Sequence, residues 1–208
     1  MQLFVFPGAC SFASHVLINE LDLPAELIIV KPGTPNSPLL QINPLGRVPT
    51  LKLDDGTVIT ENTAILPYLA DLVPNTPLFA PAGTSERAQI QSWIGYLNSE
   101  IHAACFRAIN RPHRYINDEA QYPAVQAKGL ALLTENLQPI IAHLQKRAWL
   151  VGERFTIADA YLGVFLSWLP RIGEKFIVDE RLIEYNKAYE SRESVKRARA
   201  FEQLELNR

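Results

Sequence analysis

Cys10 is the side chain whose position in the sequence best suits thiol chemistry. It follows a β-rich segment, residues 3–6, and a Pro7-Gly8 stop, and it lies where a helix is expected to begin. The start of a helix carries unpaired N–H groups and a partial positive charge, and both stabilise a thiolate. We therefore predict a lowered pKa for Cys10. From the local sequence alone, a small buried cysteine is an equally good interpretation.

A second candidate is the Val48-Pro49 pair, which enters a predicted strand. A cis bond there would leave the backbone N–H and C=O of Val48 free to pair with an extended peptide ligand. The alternative is an ordinary turn, which is the commoner case because few X-Pro bonds are cis.

Glu61 and Asn62 join a predicted strand to a predicted helix. The free N–H groups at a helix start can bind a carboxylate, and Glu61 could pair with a ligand ammonium group. The alternative interpretation is a plain helix cap, and local sequence favours it.

His102 lies three residues before Cys105 on one face of a predicted helix. A single histidine in such a place is more often structural than catalytic. No set of His, Cys and carboxylate residues has the spacing of a zinc site, and the sequence has neither a Walker motif nor a glycine-rich dinucleotide loop.

Thr156 and Asp159 have the spacing of a capping box at the start of an apolar helix. We interpret both as structural residues and not as catalytic ones. Replacing either with alanine is expected to cost ~1–2 kcal/mol of stability.

The composition predicts a folded, soluble protein. The chain has 208 residues, 48% of them hydrophobic, and a formal net charge of −2. This balance argues against nucleic acid as the main partner, since phosphate binding needs a basic excess. The longest near-apolar run, residues 160–169, is shorter than the ~18 residues of a membrane span. With two cysteines and no targeting segment, we expect a cytoplasmic protein with free thiols.

The elements that must position these residues fall into two parts. Strand and helix patterns alternate through residues 1–76 and predict an α/β domain. The proline-rich segment 74–81 is expected to be stiff and extended, and residues 77–84 are expected to form the linker between the two domains. Residues 85–208 read as helical throughout and predict an all-α domain.

One helix of the second part carries two apolar stripes at helical spacing. The first stripe comprises Ile90, Trp93, Ile94, Leu97 and Ile101, and the second comprises Asn98, His102, Cys105, Phe106 and Ile109. A single chain is not expected to cover both stripes fully, which favours a homodimer.

Five motifs, in register along the chain, resemble the glutathione transferase family. They are the strand-to-Cys10 turn, the segment 43–51 (Asn-Pro-Leu-Gly-Arg-Val-Pro-Thr-Leu), Asp54-Asp55-Gly56, the segment 61–65 (Glu-Asn-Thr-Ala-Ile), and the segment 155–162 (Phe-Thr-Ile-Ala-Asp-Ala-Tyr-Leu). This resemblance implies an α/β thioredoxin-like N-terminal domain followed by an all-α helical C-terminal domain.

The segment 7–11 is similar to that of the bacterial beta-type group, in which cysteine takes the place of Tyr or Ser. Ser99-Glu100-Ile101-His102 matches a Ser-Glu-x-His pattern that recurs in relatives. Ala103 follows where some relatives have lysine, so one polar contact is missing.

The resemblance also implies roles at a glutathione site. Cys10 would face the glutathione sulfur and His102 would line the cleft, and both are expected to be catalytic. Val48, with Pro49, would pair with the cysteinyl backbone of glutathione. Glu61 and Asn62 would hold its γ-glutamyl end, and Ser11 would help to stabilise the thiolate.

The expected function is conjugation of glutathione to hydrophobic electrophiles, in a cytoplasmic homodimer that meets neither nucleic acid nor membrane. The apolar C-terminal domain would supply the electrophile pocket, with Phe106, Arg107 and Arg111 at its border. One alternative is a glutathione-dependent thiol–disulfide oxidoreductase or peroxidase. Another is a non-enzymatic binding module of the same fold.

Overall fold

A computed structural model describes residues 1–31, 33–173 and 179–206 of the chain. The N-terminal part is built on a mixed four-stranded sheet with the order β2-β1-β3-β4. Its strands are β1 (Gln2–Val5), β2 (Glu26–Ile29), β3 (Thr50–Lys52) and β4 (Val58–Thr60). β1 runs parallel to β2 and antiparallel to β3, which pairs antiparallel with β4 in the predicted hairpin.

Helices cover both faces of this sheet. α1 (Phe12–Glu20) and α3 (Asn62–Asp71) contact each other, and α2 (Pro38–Ile42) is the short turn predicted before Asn43. Side chains alternate along β1, so Leu3 and Val5 enter the main core while Phe4 joins a small cluster with Leu39 of α2. The thioredoxin-like class predicted for this part is confirmed.

The C-terminal part is helical, as predicted. Its helices are α4 (Ser85–Tyr96), a π-helical segment (Leu97–Phe106), α5 (Arg107–Asn110), α6 (Tyr122–Leu144), α7 (Ile157–Ile172), α8 (Glu180–Glu190) and α9 (Glu193–Leu206). Short 3₁₀ turns lie at Pro112–Arg114 and Glu119–Gln121.

The π-helical segment was not predicted. The sequence favoured one regular α-helix there, but the Arg107 N–H donates to the His102 carbonyl, five residues back. Stretches of π-helix are rare and occur often at functional sites. This one carries His102.

α7 is the central helix of the C-terminal part, and every residue from 157 to 166 is buried. Its start is fixed by the predicted capping box. The Asp159 carboxylate accepts the N–H and the hydroxyl of Thr156, and it also accepts the Leu150 N–H and the Tyr185 hydroxyl, at 2.7–2.8 Å. The structural interpretation of Thr156 and Asp159 therefore has a direct basis.

The structure contradicts two expectations from the sequence: an extended linker between the two parts, and an uncovered apolar stripe on the long helix. Residues 77–84 form turns, and Leu78 to Ala80 are buried, so this segment is not an extended linker. The second stripe of the long helix is covered within one chain, because Cys105, Phe106 and Ile109 are buried there. That stripe therefore gives no reason for a dimer.

Removing the capping box is expected to destabilise the protein without changing its chemistry. Thr156→Ala should lower the free energy of unfolding by ~1–2 kcal/mol. Asp159→Ala should cost ~3 kcal/mol or more, because it leaves buried donors of Leu150 and Tyr185 unpaired. Thr156→Ser, which keeps the hydroxyl, is the matched control. Denaturant unfolding measures all three, and a fully stable but inactive variant would contradict the assignment.

Candidate active site

A cleft of about 760 Å³ lies between the two parts of the chain. The N-terminal part contributes the loop between β1 and α1, the turn before β3 and the junction of β4 with α3. The C-terminal part contributes the π-helical segment, the residues that follow it and the end of α7. Of the sequence-predicted residues, Cys10, Val48, Pro49, Glu61, Asn62 and His102 all line this cleft.

Cys10 lies two residues before α1 begins. Its Sγ donates to the Val48 carbonyl at 3.3 Å, and the Val48-Pro49 bond is cis. The Asn62 side chain donates to the Cys10 carbonyl at 2.8 Å. Three segments distant in sequence are thus joined at Cys10.

The predicted lowering of the Cys10 pKa is wrong. Cys10 is partly buried at the cleft surface, and desolvation of its sulfur, followed by the negative charge of Glu61, raises the pKa of the thiol to about 12. The N–H groups of Cys10 and Ser11 and the charge of Arg111 act in the expected direction, but desolvation outweighs them. Cys10 is therefore a neutral thiol at physiological pH, and its hydrogen bond to Val48 uses that proton.

His102 is held by a short polar chain. The Tyr161 hydroxyl donates to Asn98 Oδ1 at 3.1 Å and lies 3.2 Å from His102 Nδ1. With that hydroxyl proton directed to Asn98, Nδ1–H donates to Tyr161 and Nε2 keeps a lone pair. Burial, with Arg107 and Arg111 nearby, lowers the pKa of His102 to about 4, so the ring is neutral at pH 7.

Glu61 and Asn62 differ in what they offer to a ligand. Glu61 precedes α3, is exposed, and has a φ of +68°, a strained conformation for a residue other than glycine. Its side chain does not cap the helix. The buried Asn62 side chain is already occupied, because it accepts from the Ser14 hydroxyl as well as donating to Cys10.

Ser11 is not at the cleft surface, contrary to expectation. Its side chain is fully buried and its hydroxyl is paired with the backbone of Phe6, accepting from the N–H at 3.1 Å. Ser11 contributes its backbone N–H instead, which favours negative charge at Cys10.

Comparison with known proteins identifies the family and the fold. Residues 9–72 match the family described as Glutathione S-transferase, N-terminal domain, and residues 98–190 match Glutathione S-transferase, C-terminal domain. The glutathione S-transferase GstA of Escherichia coli O157:H7 is 40% identical over 172 residues, which cover 81% of this chain and 82% of GstA. The chain belongs to the glutathione S-transferase family.

Solved structures agree with this assignment. A bacterial beta-class glutathione S-transferase of Sphingomonas chungbukensis is 32% identical and superposes with a TM-score of 0.88, over 97% of this chain and 98% of that one. A sphingomonad glutathione S-transferase complexed with glutathione has 31% identity and a TM-score of 0.88, over 98% and 100% of the two chains. The beta-type resemblance and the enzyme class expected from the sequence are confirmed.

The transferase holds its cysteine loop through residues that the sequence did not single out. The Gly8 N–H donates to Glu202 Oε2 of α9 at 2.8 Å, and Trp168 Nε1 of α7 donates to the Gly8 carbonyl at 3.0 Å. Gly8 has a φ of +75°, and a Cβ there would meet the Arg171 guanidinium at 3.2 Å. Nothing local in the sequence points to a contact between residues 194 positions apart.

Asn98 and Tyr161, the partners of His102, were not predicted as site residues either. Asn98 had a usable signal, because it precedes His102 by four residues on the same stripe. Tyr161 had none, since the apolar pattern of α7 explains it equally well.

The C-terminal wall of the cleft, where the sequence predicts the electrophile pocket, combines apolar and charged groups. Phe106, Arg107 and Arg111 do line the cleft, but Phe106 is only 1% exposed. The same wall carries polar and cationic groups, among them Asn98, His102, Asn110 and Arg114, together with the aromatic rings of Tyr161 and Trp168.

Within residues 1–31, 33–173 and 179–206, no helix is long and apolar enough to cross a membrane. The same residues contain no group of three or more His, Cys, Asp and Glu side chains that could hold a metal ion.

The buried Glu202 is expected to make the transferase less stable as pH rises. Burial raises its pKa from 4.5 to about 7, despite the Gly8 N–H and the charges of Arg199 and Arg171. The folded protein therefore holds a proton that the unfolded chain has lost, and stability falls between pH 4.5 and about 7. Glu202→Gln should remove roughly 2–4 kcal/mol of this pH-dependent loss.

Denaturant unfolding from about pH 4.5 to about pH 8 measures the effect. Glu135→Gln, which removes an exposed carboxylate from α6, is the control and should retain the wild-type dependence. Identical pH profiles for wild type and Glu202→Gln would show that this carboxyl is ionised alike in both states.

Proposed function

We propose that this transferase activates bound glutathione with a neutral Cys10 thiol and conjugates it to an electrophilic carbon. The observation that carries the proposal is the Cys10 thiol proton, which is retained at a pKa near 12 and is directed to the Val48 carbonyl. A thiol in this state is a hydrogen-bond donor and not a nucleophile.

Glutathione is expected to compete with the Cys10 thiol for the Val48 carbonyl. By the family resemblance, the cysteinyl backbone of glutathione pairs with Val48, whose carbonyl lies 3.3 Å from the Cys10 sulfur. The glutathione sulfur would then lie beside Cys10. The Cys10 S–H, released from the carbonyl, would donate to the glutathione thiolate.

The charges around Cys10 support a thiolate on the bound glutathione. The backbone N–H groups of Cys10 and Ser11 and the charge of Arg111 each favour negative charge at this position. Glu61 opposes them. In the proposed complex Glu61 pairs with the γ-glutamyl ammonium group, and the Asn62 N–H at the start of α3 binds its carboxylate.

The reaction is a displacement at carbon. The glutathione thiolate attacks the electrophile, a C–S bond forms, and the bond to a leaving group such as chloride breaks with its electron pair. The thiol proton is lost before attack. Neutral His102, with its Nε2 lone pair, accepts that proton as it leaves and passes it to water, since a pKa of about 4 cannot retain it.

Thiol–disulfide exchange is the second candidate, because the Cys10 sulfur lines the same cleft and could form a mixed disulfide with glutathione. That step requires Cys10 as a thiolate, and the raised pKa disfavours it. Conjugation requires the Cys10 sulfur as a neutral thiol and exchange requires it as a thiolate. A pair of variants at Cys10 therefore separates the two functions.

Cys10→Ser is expected to retain conjugation within about fivefold, because the serine hydroxyl still donates to the thiolate. Cys10→Ala should lose ~10–100-fold, the effect of removing one hydrogen bond to a charged group. The measurements are turnover of chlorodinitrobenzene and the pKa of enzyme-bound glutathione, followed by thiolate ultraviolet absorbance. That pKa should rise in Cys10→Ala alone.

Reduction of a glutathione mixed disulfide is measured on the same proteins. If exchange is the function, Cys10→Ser and Cys10→Ala are equally inactive and wild type forms an adduct with oxidised glutathione, visible by mass spectrometry. Fast alkylation of Cys10 at neutral pH would also contradict the neutral thiol.

We also propose a cytoplasmic homodimer, on the family resemblance. Exposed apolar side chains of Val58 and Leu72 in the N-terminal part, away from the cleft, are available for such a contact. Sedimentation at micromolar concentration should give the mass of two chains. The mass of a single chain would contradict the dimer.

A further inference from the structure

The cleft carries a strong excess of positive charge. Among the residues that the structure describes, its lining includes six cationic side chains, Lys31, Arg47, Arg107, Arg111, Arg114 and Arg171, and one carboxylate, that of Glu61. The whole chain, in contrast, has a formal net charge of −2. The positive charge is therefore concentrated at the site.

Three of these arginines form one group on the C-terminal wall, at positions i, i+4 and i+7: Arg107, Arg111 and Arg114. Arg107 begins α5, and Arg114 ends the 3₁₀ turn that follows it. Within the described part of the chain, none of the three forms a salt bridge, whereas Arg87, Arg154, Arg181, Arg192, Arg197 and Arg199 each do.

The guanidinium groups are close enough to repel one another. Desolvation, and then the charges of Arg111, Arg47 and Arg107, lower the pKa of Arg114. Arg47 comes from the opposite wall, in the turn before Val48. Like charges placed together without a counter-ion disfavour the empty site and favour a bound anion.

This group lines the same cleft as Cys10 and His102. Arg111 acts on the charge state of both Cys10 and His102, and Arg107 acts on His102. The indole of Trp168, 5.6 Å from the His102 ring, provides a flat apolar surface next to them. The anion that fits must therefore lie close to the electrophilic carbon, on an aromatic or similarly flat molecule.

Glutathione does not by itself account for the excess charge. It brings two carboxylates and one ammonium group, and as a thiolate it adds one more negative charge. One carboxylate and the ammonium belong, in the proposed complex, to the junction of β4 and α3. Even a fully bound glutathione thiolate leaves the cleft with more cationic than anionic groups.

We propose that Arg107, Arg111 and Arg114 bind an anionic group, a carboxylate or sulfonate, on the electrophilic substrate. This inference rests on the conjugation function proposed above and names its substrate class: flat electrophiles that carry a negative charge beside the reacting carbon. In the reaction, thiolate displaces chloride from that carbon, and the anionic group stays on its arginines unchanged.

Binding without turnover tests the site directly. The probes are dinitrobenzoate and its methyl ester, which share the ring and differ in charge, with S-methylglutathione filling the glutathione site. Wild type should bind the acid at least ~10-fold more tightly than the ester. Arg111→Gln and Arg114→Gln should each weaken binding of the acid by about tenfold and binding of the ester by less than about twofold.

Lys128→Gln is the control for charge, because this exposed lysine on α6 lies outside the cleft. It should behave as wild type with both probes. Raising the salt concentration should weaken binding of the acid and leave binding of the ester unchanged.

Turnover of chlorodinitrobenzoate and its methyl ester separates this inference from the proposed function. Arginine-dependent binding of the acid with no turnover of either compound would retain the anion site and overturn conjugation. Turnover of both compounds with no effect of Arg114→Gln on their ratio would retain conjugation and overturn the anion site.

One further result would overturn the inference. Arg111→Gln and Arg114→Gln could instead weaken binding of glutathione itself by about tenfold and leave the ratio of the affinities for acid and ester unchanged. In that case the arginines bind the second carboxylate of glutathione. Glutathione affinity is therefore measured on every variant.

Discussion

The cleft depends on two hydrogen bonds that connect the helical part of the chain to the backbone of one residue, Gly8. The Gly8 N–H donates to the side-chain carboxyl of Glu202, and the indole N–H of Trp168 donates to the Gly8 carbonyl. Cys10 follows two residues later, so its position relative to the helices is fixed by these two bonds. Neither part alone could form the site, since one supplies the sulfur and the backbone partners while the other supplies His102 and the arginines.

Desolvation and charge act against each other around Cys10, and their balance decides the chemistry. Burial keeps the cysteine neutral, yet the same poorly solvated surroundings strengthen the field of Arg111 and the backbone N–H groups. Ionisation of the Cys10 thiol is unfavourable, because the thiolate would lose its hydration. A ligand that arrives with a charge is favoured, because the dipoles and cations are already in place.

Much of the fold could be predicted because it is encoded locally. The Asp54-Asp55-Gly56 hairpin, the capping box at Thr156 and the apolar run of α7 each rest on a few neighbouring residues. The positions of Cys10, Val48 and Glu61 in one cleft followed from motifs that the family shares. The sign of the Cys10 pKa shift could not be predicted, because it depends on how strongly the folded surroundings desolvate the sulfur and on the nearby charge of Glu61. The role of Glu202 was equally hidden, as its partner is 194 positions away.

The winding of the Leu97–Phe106 segment decides which side chains face the substrate. Five residues along an α-helix turn through about 140° beyond a full turn, so His102 and Arg107 would point to different sides. Here the His102 carbonyl receives the Arg107 N–H, and both side chains line the cleft. The other side chains on this wall recur every four residues, at Asn98, His102, Phe106, Asn110 and Arg114, and Arg107 joins them five residues after His102. A mutational scan that assumes an ordinary α-helix would place Arg107 on the side away from His102 and would omit it from the positions that line the cleft.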